Sequence, residues 1–135
     1  MKTILHAGAV LAMIAAPVAA LAGGLHIRLD QVNPAPDQCQ LVFVLENGTD
    51  TEFDQLQAEV VLLSRETRVL RLSMLDFQSL PANGLRVRSF NFPDLDCADL
   101  GRVLFNAMGP CAPLDARACT AALQTGSDTE IEVLQ

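Results

Sequence analysis

The chain contains no tryptophan and no tyrosine, and its aromatic residues are six phenylalanines. Trp and Tyr dominate surfaces that stack on sugars and bases, and many interface hot spots, so their absence argues against carbohydrate and nucleic-acid binding. Basic charge is also scarce: residues 23–135 hold eight arginines and no lysine against 16 Asp and Glu, a net charge near −8. This balance repels nucleic acid and anionic membranes, and neither is an expected partner.

Histidine is nearly absent as well, since His26 is the only one beyond residue 22. Nucleophilic catalysis needs a nucleophile held by a base, and no such constellation is visible. We therefore expect a protein that is not an enzyme and uses no cofactor. The alternative is a small periplasmic metal-binding protein or hydrolase that uses His26, Met74, Met108 or the Asp94–Asp99 loop.

The acidic loop that contains Asp94, Asp96 and Asp99 offers oxygen atoms of the kind that bind calcium. It lacks the glycine and the later bidentate Glu of an EF-hand loop, so a solvated loop is the preferred interpretation. No C-x-x-C pair occurs, and the cysteine spacings match no common zinc pattern. We predict no metal site.

The first 22 residues have the pattern of a secretory signal peptide. A basic start, Met1-Lys2, precedes an apolar run that contains Pro17, and Ala20-Leu21-Ala22 forms an A-x-A exit before Gly23. We predict cleavage there, which leaves residues 23–135 as a single periplasmic or secreted domain with no stable membrane insertion. An uncleaved chain, anchored in the membrane, is the alternative.

Four cysteines in an exported domain predict two disulfides. The favoured pairing joins Cys39 to Cys97 and Cys111 to Cys119, because the second pair flanks the start of a predicted helix. Pairing of Cys97 with Cys111 or Cys119 is the alternative.

Beyond residue 22, short apolar bursts alternate with turn residues, which is typical of an all-β domain. Strands are predicted at 25–29, 40–46, 56–63, 68–75, 85–92, 101–107 and 129–134. The segment 33–37 is expected to end the first strand. Residues 115–124 are expected to form a short helix that is closed by Gly126. About seven strands with one late helix predict an immunoglobulin-like antiparallel β-sandwich, with a barrel as the alternative.

The strands at 56–63 and 68–75 predict a hairpin, for which a helix over 55–63 is the rejected alternative. We expect the alternating side chains of both strands to share one core: Ala58, Val60, Leu62, Leu70, Leu72 and Met74. In the strand at 85–92 the apolar residues shift from odd to even positions at Ser89–Phe92, which predicts a bulge or an edge position there.

Five of the eight arginines beyond residue 22 fall within 24 residues: Arg65, Arg68, Arg71, Arg86 and Arg88. If Arg71, Arg86 and Arg88 point outward on neighbouring strands, they form a positive stripe that can hold a carboxylate or phosphate group of a partner. The preferred alternative is cross-strand pairing with Glu46, Glu59, Glu66 or Asp76.

The run from Cys39 to Phe92 resembles small bacterial periplasmic domains of the FxLYD type, which have an immunoglobulin or fibronectin-like fold. The matching segments are Leu45-Glu46-Asn47, Val60-Val61-Leu62-Leu63-Ser64 and Leu80-Pro81-Ala82-Asn83-Gly84, with Leu63 and Ser64 in place of the family's aromatic residue and Asp. The resemblance implies a fold and no particular activity. We therefore expect an exported binding module whose partner is another envelope or secreted protein.

Overall fold

The computed structural model describes residues 24–135, and the predicted signal peptide lies outside this range. Within these residues there are eight strands, one short α-helix and one 3-10 turn. The strands are β1 (Leu25–Ala35), β2 (Gln38–Asn47), β3 (Gln57–Ser64), β4 (Val69–Asp76), β5 (Leu85–Pro93), β6 (Leu100–Met108), β7 (Leu123–Ser127) and β8 (Glu132–Leu134). The 3-10 turn is Cys97–Asp99, and the helix α1 is Ala116–Ala122.

The strands form two four-stranded sheets, so the predicted all-β sandwich is confirmed. The first sheet has the order β5-β2-β1-β7 and the second has the order β4-β3-β6-β8. Pairing is antiparallel among the first six strands, whereas β7 runs parallel to β1 and β8 runs parallel to β6.

Alternation along the strands builds the core between the sheets. Every second residue of β1 from Leu25 to Leu29 is buried, and so is every second residue of β2 from Cys39 on. Val60 and Leu62 face them from β3. Four phenylalanine rings, Phe43, Phe77, Phe90 and Phe105, form a cluster with ring centroids 5.1–6.1 Å apart. Such aromatic contacts stabilise a core beyond the area that they bury.

Both favoured disulfides are present. Cys39 at the start of β2 bonds Cys97 in the 3-10 turn before β6, so this bridge links the two sheets. Cys111 bonds Cys119 and holds α1 to the preceding loop. The carboxylate of Asp115 caps this helix and accepts a hydrogen bond of 2.8 Å from the Ala118 N–H.

Three predicted boundaries were wrong. The last strand, predicted at 129–134, begins at Glu132. The predicted break at 33–37 is shorter, because β1 continues to Ala35 opposite Gln38 and only the turn at Pro36-Asp37 interrupts the hairpin. The predicted helix at 115–124 ends at Ala122, since Leu123 is buried and pairs with Leu25 as the start of β7. Strand pairing and burial outweigh the favourable helix propensities of Leu123 and Gln124 here, since propensity is overridden by tertiary packing.

The hairpin of β3 and β4 is confirmed, and Leu70 packs against the core as predicted. The predicted facing of the rest of β4 was wrong. Its inner positions are Arg71, Ser73 and Leu75, which pair with the inward residues of β3. Leu72 and Met74 lie on the outer face instead and are exposed. This arrangement suits an edge strand, where the space between the sheets opens to water and a long polar side chain can reach out of it.

Candidate functional site

One side of the sandwich, which we call the open rim, is formed by the edge strands β4 of the second sheet and β5 of the first. Both are long, with eight and nine residues. The opposite side is formed by β7 and β8, which have five and three residues. The open rim therefore presents most of the unpaired strand edge among residues 24–135.

Arg71 and Arg88 cross the gap between the two sheets at the open rim. Arg71 Nη2 donates to the Pro93 carbonyl at the end of β5 at 2.7 Å. Arg88 donates from Nε to the Phe77 carbonyl at 2.8 Å and from Nη2 to the Ser79 carbonyl at 3.2 Å. Both side chains lie on the inner parity of their strands, opposite Leu62 and Phe43.

Arg86 and Arg88 also cover the edge of their own strand. Arg86 Nη1 donates to the Leu85 carbonyl at 2.8 Å, and Arg88 Nη1 donates to the Val87 carbonyl at 3.1 Å. The β2–β5 register runs without a shift, so Ser89–Phe92 holds an edge position and contains no bulge. The inward-facing positions of β5 are thus Arg86, Arg88, Phe90 and Phe92. The two arginines lie toward the solvent-exposed end of the strand.

Arg65 and Arg68 lie in the β3–β4 turn and are exposed. Between them, Glu66 accepts a 3.0 Å hydrogen bond from the Ser64 hydroxyl. Its own backbone N–H, the Ser64 hydroxyl and the nearby arginines lower the pKa of Glu66. The turn borders a groove of about 420 Å³ that reaches Ala98 and Asp99.

The predicted cross-strand ion pairs of these arginines do not form in the structure. Within residues 24–135, the ion pairs join Arg28 to Asp30 and Asp128, and Arg102 to Glu132. The five arginines thus lie along one rim, but Arg71 and Arg88 are engaged with carbonyl groups. Their role in holding a partner stays a prediction.

Apolar exposure is concentrated on the same two strands. The large apolar side chains that are most exposed in residues 24–135 are each 52–67% exposed and all lie on β4 or β5: Val69, Leu72, Met74, Leu85 and Val87. By strand alternation Leu72 and Met74 lie on the outer face of the second sheet, and Leu85 and Val87 on the outer face of the first. The exposed apolar side chains thus form two groups that flank the open rim, and exposed apolar groups of this kind are typical of interaction surfaces.

Sequence reasoning missed this apolar surface because it assigned Leu72 and Met74 to the core. A usable signal is present in β5: two arginines and two phenylalanines share one parity, which indicates an edge strand with long side chains leaving the core. Arg71 on the inner parity of β4 gives the same signal.

The residues of the alternative function are distributed over the molecule. His26 lies on the outer face of β1, opposite Glu46. Met74 is exposed at the open rim, whereas Met108 is buried. Asp96 caps the 3-10 turn by accepting a hydrogen bond of 2.9 Å from the Ala98 N–H. Within residues 24–135, no group of three or more His, Cys, Asp or Glu side chains is placed to hold a metal ion.

Across the described part of the chain, no helix is long and apolar enough to cross a membrane. The fold and the site together define a disulfide-linked two-sheet β-sandwich whose one open rim is flanked by exposed apolar side chains. The solved structure of IrmA from Escherichia coli is similar to it, with a TM-score of 0.61 and 13% identity over 76% of this chain and 90% of that one. This likeness concerns the fold.

No protein-family model matches the chain, and no curated protein matches it either. The resemblance to FxLYD-type domains therefore stays a prediction.

Proposed function

We propose that the protein is an exported, non-enzymatic binding module that docks another envelope or secreted protein on the open rim. The observation that carries this proposal is that the five most exposed large apolar side chains of residues 24–135 all lie on β4 and β5. Exposing such side chains to water is unfavourable, at roughly 25 cal/mol per Å² of apolar surface, and a partner that covers them recovers this free energy.

Two further observations support the proposal. The two disulfides are compatible with an oxidising compartment, where such bonds form and persist. The exposed Arg65 and Arg68 add positive charge beside the apolar surface, in a chain whose net charge is −7. Charge of this kind steers a complementary partner and fixes its orientation more than it adds affinity.

The docking site can be tested by photo-crosslinking in the organism's own envelope. A photoreactive amino acid replaces Met74 or Val87 on the open rim, or Gln124 on β7 as an exposed control. We expect one discrete crosslinked partner from positions 74 and 87 and none from position 124. Equal labelling from all three positions, or no partner from the rim, would contradict the proposal.

Export and the competing function need separate measurements. Intact mass of the envelope fraction is expected to give a mature chain that begins at Gly23 with both disulfides formed. Elemental analysis of the same protein addresses metal binding, and a stoichiometric ion would favour the metal-binding alternative. A chain that retains residues 1–22 would instead be an anchored domain.

A further inference from the structure

The hydrogen-bonding phase of β4 shows which backbone groups face the open edge. Phe77 N–H donates to the Leu56 carbonyl at 2.8 Å, one register step beyond β4. Because bonded pairs recur at every second residue of an antiparallel ladder, the N–H and C=O groups of Leu75, Ser73 and Arg71 face β3. Those of Leu72, Met74 and Asp76 face away from the sheet.

Hydrogen bonds on the other side of β3 lead to the same assignment of which backbone groups face β4. Gln57 N–H donates to the Pro110 carbonyl, and the Gln57 carbonyl accepts from Gly109 N–H, both at 2.9 Å. The polar backbone groups of Gln57 therefore face β6, and those of Leu56 and Ala58 face β4. Within residues 24–135, no side chain forms a hydrogen bond with the backbone of Leu72 or Met74, so this edge is uncovered.

The edge of β5 differs in this respect. Asn47 N–H donates to the Gly84 carbonyl at 2.8 Å, which places the outward backbone groups at Leu85 and Val87. Their carbonyls already accept hydrogen bonds from Arg86 and Arg88. Charged side chains over an edge are a known protection against strand addition. Of the two edges at the open rim, β4 is the one left free to accept another strand.

The outer face of the second sheet indicates what such a strand would carry. Direct cross-strand pairs place Leu72, Val61, Leu104 and Leu134 in one apolar row that runs across all four strands. A strand added beside β4 places a side chain next to Leu72 at the open end of this row. An apolar side chain there continues the row, and alternation then sets the apolar positions of the added strand.

Charge indicates the chemistry at one end of the strand. Arg65 and Arg68 are exposed in the turn that leads into β4, and neither forms an ion pair within residues 24–135. An acidic side chain on the added strand can approach them. A second copy of the chain would bring a net charge of −7 to a protein of the same charge, so self-repulsion favours a short segment of another protein.

From these observations we propose that β4 accepts an extended segment of the partner as an added strand. The segment has alternating apolar side chains and an acidic residue at the end that lies beside Arg65 and Arg68. This inference rests on the proposed function, because it specifies how the partner docks on the open rim. Backbone hydrogen bonds supply affinity in this mode of recognition, and the side chains supply specificity.

The experiment selects peptides from a phage-displayed random library on the purified mature protein. We expect the enriched peptides to alternate β-branched or aromatic residues with polar ones and to carry Asp or Glu toward one end. Met74→Pro removes an outward N–H and leaves the ladder to β3 intact. We expect it to weaken peptide binding about tenfold or more, since at least one edge hydrogen bond is lost and the added strand is displaced.

Ser89→Pro is the matched control, because Ser89 is also exposed, its N–H also faces outward, on β5, and it is not one of the apolar side chains of the docking surface. We expect it to bind the selected peptides as the parent does. Urea unfolding shows whether each variant is folded. If Met74→Pro does not fold, Leu72→Pro takes its place. Arg65→Ala with Arg68→Ala is expected to remove the enrichment of acidic residues.

Three results would overturn the proposal: no enrichment above the naive library, enriched peptides without acidic residues, or equal binding by the parent and Met74→Pro. Sedimentation that shows a dimer lost in Met74→Pro would assign the edge to a second copy and would also overturn it. Photo-crosslinks from position 87 that persist in Met74→Pro would keep the binding function and reject strand addition. If the protein without the proline substitution forms no crosslinks from the rim positions, the binding function itself is rejected.

Discussion

Arginines at inward-facing positions of the two edge strands bridge the gap between the sheets at the open rim. Arg88 of β5 lies opposite the fully buried Phe43 of β2. Its guanidinium nevertheless leaves the core and donates to two carbonyls of the segment that follows β4. The aliphatic part of the side chain covers apolar surface while the charged end satisfies backbone acceptors. A shorter polar residue at this position would leave those carbonyls without the same donor.

Arg88→Met is expected to lower the free energy of unfolding by about 1–3 kcal/mol, because it keeps the aliphatic part and removes the hydrogen bonds to Phe77 and Ser79. Arg86→Met is the control, since Arg86 is exposed and bonds the neighbouring Leu85 carbonyl. We expect a change within about 0.5 kcal/mol for the control. Urea unfolding measures both, and equal losses would contradict a bridging role for Arg88.

Sequence could predict some residue-level features because their causes are local. The pairing of Cys111 with Cys119 follows from short separation, and with four cysteines this leaves Cys39 and Cys97 for each other. The facing of Leu72 could not be predicted in the same way. Both parities of β4 carry apolar residues, so only its place at the edge of the sheet decides which of them is exposed.

At the scale of elements, the start of β6 packs very closely on the end of β3. A Cβ atom at Gly101 would lie 2.5–2.7 Å from backbone atoms of Ser64 and Arg65. Since backbone atoms cannot rotate out of the way, any side chain at this position must push the two strands apart. The register shift between Leu63 and Ser64 occurs at the same point.

Gly101→Ala is therefore expected to destabilise the protein by about 1–3 kcal/mol, the usual cost of overpacking. Gly126→Ala in β7 is the matched control, because the nearest atom to its added Cβ is Arg28 Cγ at 3.9 Å, an ordinary contact. We expect the control to change stability by no more than about 0.5 kcal/mol. Thermal or urea unfolding tests the pair, and a tolerated Gly101→Ala would contradict the close approach.

The elements also differ in how well the sequence predicts them. The first six strands have strong apolar patterns bounded by turn residues, and all six were predicted. Strand β7, with the sequence LQTGS, has no such pattern and forms because its Leu123 packs into the core beside β1. The same dependence on distant pairing explains why the uncovered edge of β4 appeared only in the structure.

At the scale of the whole molecule, the Cys39–Cys97 bond joins the first sheet to the segment that leads into the second. Two sheets packed face to face have no backbone hydrogen bonds between them, so side-chain packing and covalent links hold them together. The rim arginines add a small number of hydrogen bonds on one side. A domain of this size has a total stability of roughly 5–15 kcal/mol, so one long bridge is a large fraction of it.

The two disulfides are expected to contribute unequally to stability. The Cys39–Cys97 loop has a sequence separation of 58 and the Cys111–Cys119 loop has one of 8. In the loop-entropy model these correspond to about 4 and about 2.5 kcal/mol. Replacing Cys39 and Cys97 by Ala should therefore lower the free energy of unfolding more than replacing Cys111 and Cys119 does.

The comparison between the two double variants is well controlled, because all four cysteines are buried and each variant removes two similar sulfur atoms from the interior. The difference of about 1.5 kcal/mol then reports the loop lengths alone. Urea unfolding without added reductant, which leaves the remaining disulfide intact, measures it. An equal or reversed order would contradict this account, in which the long bridge stabilises the fold by restricting the unfolded chain.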